Sequence, residues 1–408
     1  MKHVGVKLSL YLNYFIFAIL LNSVGIVILK SLNNYGVDET TASVLEAFKD
    51  LPIAIVSFAV ASFLPRVGYK KAMLIGLAMV TVACVAMYFG NTFDTAKILF
   101  ATVGAAFALI KVSVYSTIGL VTNSTKEHNS LMSSIEGFFM VGIAIAYFLF
   151  PAFNTEGEPD AWLNVYWLLA GLSALSFIIL LFTKFEKEAE IPGADLKEDF
   201  LEMFKLMARL LIIVFVISAF LFVMIEQGIM SWLPTFNNKV LGLSENLGIM
   251  MASILALSLA VGRILAGILT QKISWIYVLV TCTIGAMLIV IFVLPETVGL
   301  NVGVIDSLSD IPLIGFAFPL VGLFIAPIYP LLNSVVLSAL PKRVHSPMTG
   351  LIVIFSALGG TIGSRIIGYL FETKGPENAF YFTLIPMTVL LVFYVILKKL
   401  TEKDALQG

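Results

Sequence analysis

Residues 207–236 read MARLLIIVFVISAFLFVMIEQGIMSWLPTF, and the sixteen positions from Leu210 to Ile225 hold no charged side chain. A helix rises 1.5 Å per residue, so about 20 mostly apolar residues cross the hydrocarbon core of a bilayer. The run lacks the alternation of a barrel strand and is too long for one. It reads as a membrane-spanning helix. Eleven further apolar runs flank it, at 8–30, 42–65, 70–90, 95–122, 130–153, 162–184, 244–270, 275–295, 311–340, 347–373 and 378–400, which makes twelve. Turn-forming clusters separate them, such as Asn33-Asn34-Tyr35-Gly36 and Glu156-Gly157-Glu158-Pro159-Asp160. The first run exceeds the apolar core of a signal peptide and has no convincing small-x-small cleavage site.

The whole composition agrees. Of 408 residues, 59% are hydrophobic and 12% charged, against roughly 25% charged in an ordinary soluble domain. With 32 Phe and a mean hydropathy of +1.00, the chain carries more apolar surface than soluble cores could bury. The expected fold class is an all-α membrane protein with twelve transmembrane helices. A net charge of -1 offers no field for nucleic acid. Cys84 and Cys282 sit in separate apolar runs, and His3, His128 and His345 in tails or loops. No metal site, cofactor or disulfide framework is expected from them. No Gly-x-x-x-x-Gly-Lys-Ser/Thr, paired aspartates, His-Glu motif or Gly-x-Ser-x-Gly elbow occurs, so neither an ATP-driven pump nor an enzyme is expected.

Lys and Arg in the short connections set the orientation. With the N-terminus inside, the cytoplasmic segments hold 17 basic residues and the opposite side only Lys30, Lys97, Lys239 and Lys374. Both termini are therefore expected in the cytoplasm, with the chain in the cell membrane (the inner membrane of a bacterium). Residues 185–206, FEKEAEIPGADLKEDFLEMFKL, form the longest charged stretch. They read as a cytoplasmic linker between six-helix bundles at 1–184 and 207–408. A chain that holds a whole pathway is expected to work as a monomer.

Charges inside spans cost a few kcal/mol each and need a reason. The second span carries Glu46, Lys49 and Asp50 on one helical face, where Lys49 can pair with Glu46. Glu46 reads as a hydrated residue near the outer interface. Asp50 lies one turn deeper, before Pro52, and is a candidate for proton coupling. Lys111, mid-way along the fourth span beside Ser113, Tyr115 and Ser116, cannot easily reach water. Glu136 in the fifth span is its natural partner. A carboxylate beside an ammonium changes protonation when that ammonium is occupied, as proton coupling requires. Lys111, Glu136 and Asp50 are thus the expected coupling residues.

In the second half, Glu226, Gln227 and Trp232 in the seventh span form a candidate solute site. Tyr329 and Asn333 in the tenth join them, beside Pro327 and Pro330, where the helix is expected to break. Arg365, deep in the eleventh span after Gly359-Gly360 and Gly363-Ser364, serves either solute or helix packing. Pro65-Arg66-Val67-Gly68-Tyr69-Lys70-Lys71 after the second span has a weak counterpart in Gly262-Arg263, Gly267 and Gln271-Lys272. Arg66, Gly262 and Arg263 are the expected gating residues.

Six plus six spans, with this loop repeated in both halves, resembles the major facilitator superfamily. There the halves rock about a midplane solute site. The superfamily loop pattern is altered here, with Pro65 at its acidic position and Tyr69 at its second basic one. Within the superfamily, Glu226, Gly228, Ser231-Trp232-Leu233-Pro234, Leu241-Gly242, Gly262-Arg263 and Gly267 resemble the fucose/galactose/glucose:proton symporter family. That resemblance implies a sugar bound mid-membrane and a proton-accepting carboxylate in the first or fourth span. Ile26 and Lys111 stand at those two positions, and Glu136 stands where the family has an amide. It follows that Glu136 or Asp50 would couple the proton. Lys111 with Arg365 would match an acidic sugar or small organic anion, unless Glu136 neutralises Lys111 and leaves the cavity sugar-like.

The expected function is proton-coupled symport of a small polar solute, by alternating access. An exporter of amphiphiles is the alternative within transport. A membrane solute sensor is the alternative outside it, although residues 1–7 and 401–408 are short for a signalling domain.

Overall fold

The computed structural model describes residues 4–122, 124–155, 157–185, 205–299, 303–340 and 345–405. The linker expected at 185–206 lies outside these except for Phe185, Lys205 and Leu206. The described residues are helical throughout, apart from turns and two isolated bridges. Eleven helical segments among them are long and apolar enough to cross a membrane. The remaining long helix, Val44–Val67, carries Glu46, Lys49 and Asp50 in its first two turns.

The caps explain where these helices begin and stop. Thr92 and Thr95 form a capping box that opens Phe93–Val121, and Ser124 accepts from the Glu127 amide to open Thr125–Ala152. Asn91, with φ 42°, ends Tyr69–Gly90 in the left-handed conformation that asparagine tolerates. Gly68, with φ 92°, makes the sharp turn between the second and third spans, which a Cβ would strain. The expected break in the tenth span is present, with Pro327 standing between the helices Val321–Ile325 and Ile328–Ser338.

The chain packs as two compact units. The first comprises the described residues of Met1–Val27 and Phe48–Glu198, the second those of Ile28–Ala47 and Asp199–Gly408. In the first unit, Tyr69–Gly90 packs between Phe93–Val121 and Val165–Phe182, and Val4–Asn22 lies along Thr125–Ala152. Gly104 brings the fourth span against the second, since a Cβ there would sit 2.2 Å from the Lys49 carbonyl oxygen.

In the second unit, Leu210–Lys239 packs along His345–Lys374. Gly359 and Gly363 face the carbonyl oxygens of Phe220 and Met224 at distances that exclude any side chain. Such contacts gain dispersion without a hydrophobic driving force, as helix association in lipid requires. The outer surfaces remain greasy: Phe182 is 79% exposed, Phe89 72% and Val82 68%. In water that much exposed apolar area would aggregate; in a bilayer it is solvated.

Candidate functional site

A cluster of polar side chains lies among the described spans of each unit. In the first, Phe107, Lys111 and Tyr115 follow one another at intervals of four along the fourth span, which stacks them on one face. Lys111 is half-buried. Its Nζ lies 5.9 Å from the Phe107 ring centroid and 6.0 Å from that of Tyr115, contacts worth roughly 0.5–2 kcal/mol for a cation over aromatic faces. The Tyr115 hydroxyl donates to Glu136 Oε1 at 2.7 Å. Tyr14 of the first span closes the cluster, its ring 6.1 Å from Tyr115 and 5.6 Å from Phe139. The Tyr14 hydroxyl is buried and faces that of Tyr115. Beside it, Tyr11 donates to Ser134 at 2.7 Å.

Glu136 thus sits in the Lys111 cluster and acts on the ammonium through space. Even so, no carboxylate of the described residues makes an ion pair with Lys111. Other span charges differ. Lys49 pairs with Asp50 at 3.5 Å, both nearly buried, and Arg263 Nη2 meets Glu226 Oε1 at 3.5 Å. Burying an ion costs several kcal/mol unless a counter-charge offsets it. Lys111, held by ring faces and a nearby carboxylate, is the less satisfied cation.

The second unit brings Glu226 against Arg263, joining the seventh and eighth spans. Tyr329 stacks on Phe222 at 5.6 Å, and its hydroxyl shares a 3.1 Å hydrogen bond with Ser356. Asn333 Oδ1, one turn further along, is buried without a partner among the described residues. Gln227 is half-buried next to Glu226. Three other residues take packing positions. Trp232 is fully buried, its Nε1–H donates to the Ser364 carbonyl and hydroxyl at 3.1 and 3.0 Å, and its ring lies 4.9 Å from Phe371. Its only donor is therefore used between the seventh and eleventh spans. Arg365 is exposed and donates to the Thr40 carbonyl and, at 3.4 Å, to Ser43 Oγ. Gly262 faces the Leu323 carbonyl oxygen closely enough to exclude a Cβ. Of Arg66 only the backbone, within Val44–Val67, lies inside the described residues.

Residues 28–47 form a polar seam within the second unit. Lys30 contacts Glu245, Asn33 donates to Glu245 Oε2 at 2.5 Å, and Lys239 contacts Glu39. Ser231 donates to Glu46 Oε2 at 2.8 Å. Glu46 is consequently 0% exposed and not the hydrated end residue expected, because helix 210–239 covers that face. Asp38 caps Glu39–Ala42, and the Thr41 amide holds its carboxyl below the usual carboxylate range. Glu245→Ala would leave the ammonium of Lys30, which is 4% exposed, without that partner. The expected cost is about 3 kcal/mol, read as a lower thermal midpoint of the detergent-solubilised protein; an unchanged midpoint would show the seam contributes nothing.

A cleft of about 580 Å³ lined by Tyr88, Phe89, Glu158 and Asp160 shares no residue with either cluster. Among the described residues, no group of His, Cys, Asp and Glu could hold a metal ion. Tyr14, Ser356 and Ser364 were not singled out from sequence. Tyr11 and Tyr14, three apart on one face of the first span, are the signal that could have found the first of them.

The profile of the Major Facilitator Superfamily matches residues 10–363. No curated protein matches significantly. Among solved structures, a bacterial homologue of the human lysosomal transporter Spinster superposes with a TM-score of 0.76 at 14% identity, over 98% of this chain and 97% of its own. The nucleoside transporter NupG gives 0.74 at 14% identity, over 96% and 99%. The Escherichia coli fucose:proton symporter FucP gives 0.63 at 14% identity, over 97% and 99%. At these identities the likeness concerns the fold.

Proposed function

The chain belongs to the Major Facilitator Superfamily, and from that premise we propose that it is a secondary transporter moving a small polar solute by proton-coupled symport. Twelve spans with both termini in the cytoplasm, in the cell membrane and as a monomer, complete the reading. The observation that carries it is the first-unit cluster: a half-buried ammonium without an ion pair among the described residues, and a carboxylate fixed near it by Tyr115. A carboxylate so placed can hold a proton when the ammonium engages solute and release it when solute leaves. Lys111 and Glu136 couple, with the Lys49–Asp50 pair as a second proton station. Glu226, Gln227, Tyr329 and Asn333 are the solute-binding candidates of the second unit, whereas Trp232 and Arg365 hold helices in place. The seam around residues 28–47, together with Arg66, Gly262 and Arg263, serves gating during alternating access.

The test is solute counterflow in proteoliposomes, across neutral hexoses, amino sugars, uronic and sialic acids and small carboxylates. Accelerated exchange with one class supports transport. No exchange with any of them contradicts it.

The rings of Phe107, Phe139, Tyr14 and Tyr115 favour a second reading, an exporter of amphiphiles. Competition by amphiphilic cations, with no effect of sugars or acids, would select it.

A further inference from the structure

Lys111 is a basic side chain built into a place where no carboxylate among the described residues ion-pairs with it. Its neighbours among the described residues of the first unit are these. The fourth span contributes Phe107 and Tyr115, the fifth Glu136, and the first Tyr14 against Tyr115. The second span presents Val56, Val60 and Leu64 against Leu109 and Val112, in a cluster that includes Tyr69 of the third. The Lys49–Asp50 pair lies beside Gly104, two helical turns away. Gly76 of the third span faces Ile110. Among the described residues Glu136 is the carboxylate that acts on Lys111, and it is held by Tyr115 rather than by Lys111.

We propose that the solute is a small organic monoanion whose carboxylate takes Lys111 as its counter-ion, with one proton carried on Glu136 for each anion. This deepens the proposed function and rests on it. Empty, the site balances one ammonium against one carboxylate. When a solute carboxylate arrives at Lys111, two carboxylates face one ammonium in a low-dielectric site, and both cannot keep their charge. Glu136 therefore takes a proton from the water on the loading side. On the other side, anion and proton leave together and Glu136 recovers its charge. One negative charge and one proton move together, so transport is electroneutral. A neutral sugar would leave Lys111 and Glu136 as they were and would draw no proton.

The experiment measures binding and proton uptake on the purified protein in weakly buffered detergent solution, then uptake in proteoliposomes. The probes are glucuronate, galacturonate, gluconate and N-acetylneuraminate, against glucose and fucose. An acid should bind with about one proton taken up per site. Lys111→Gln should weaken that binding by ~100-fold, as for loss of a charged hydrogen-bond partner, and Lys111→Arg should retain most of it, which separates a binding loss from misfolding. Glu136→Gln should bind the acid without proton uptake. Uptake should follow an imposed pH gradient and ignore a valinomycin-set potential. A neutral sugar bound and driven by potential, with every acid inert, would overturn the anion inference and leave the proton-coupled reading standing. Acid transport without proton uptake would overturn both.

Discussion

Glu136→Gln should give a carrier that exchanges solute but no longer accumulates it. Glutamine keeps the shape of the side chain and an oxygen for the Tyr115 hydroxyl, now 2.7 Å from the carboxylate. What it removes is the ability to gain and lose a proton within the Lys111 cluster. With one proton per solute, a gradient of one pH unit supports about tenfold accumulation, since 1.36 kcal/mol corresponds to a factor of ten. In the variant the internal-to-external ratio should fall to about one. Counterflow, which needs only the exchange of loaded forms, should continue. Radiolabelled solute in proteoliposomes reads both quantities. Wild-type accumulation by the variant would exclude Glu136 from coupling and transfer that role to Asp50.

The second large effect is mechanical. Gly104→Ala places a methyl group 2.2 Å from the Lys49 carbonyl oxygen and 3.1 Å from its carbon. Backbone atoms cannot rotate out of the way, so the second and fourth spans must separate. The Lys49–Asp50 pair would move with them. Overpacking of this kind costs about 1–3 kcal/mol. Gly119 on the same helix is the control, because a Cβ there meets nothing within 4 Å. At Gly119 alanine should be neutral or stabilising, by up to ~1 kcal/mol of helix propensity. Thermal midpoints of the two variants in one detergent make the comparison; equal midpoints would show that the close approach at Gly104 is relaxed in solution.

These two sites mark what sequence discloses and what it does not. The helices were legible because length and apolarity are local properties, and Pro327 and Pro330 announced the broken tenth span. Lys111 and Glu136 were legible because a charge within an apolar run needs a reason. Their mode of contact was not. The Tyr115 hydroxyl that holds Glu136 comes from a different helix, and Tyr14 is drawn from a third.

Glu46 shows the same limit from another side. At the start of its helix it reads as hydrated, and only the fold brings Ser231, 185 positions away, to cover it. Trp232 reads as a site residue from its neighbours Glu226 and Gln227. Its helix turns it instead towards Ser364 and the close approach at Gly368. An aromatic ring suits a cavity wall and a helix interface equally well, so composition alone does not distinguish them.

The most direct test of the account is the external pH of lightly buffered proteoliposomes when solute is added to one side. Wild-type protein should alkalinise the external medium as solute enters, with a rate that saturates with solute and is abolished by a protonophore. Entry of solute with no change in pH would contradict proton coupling.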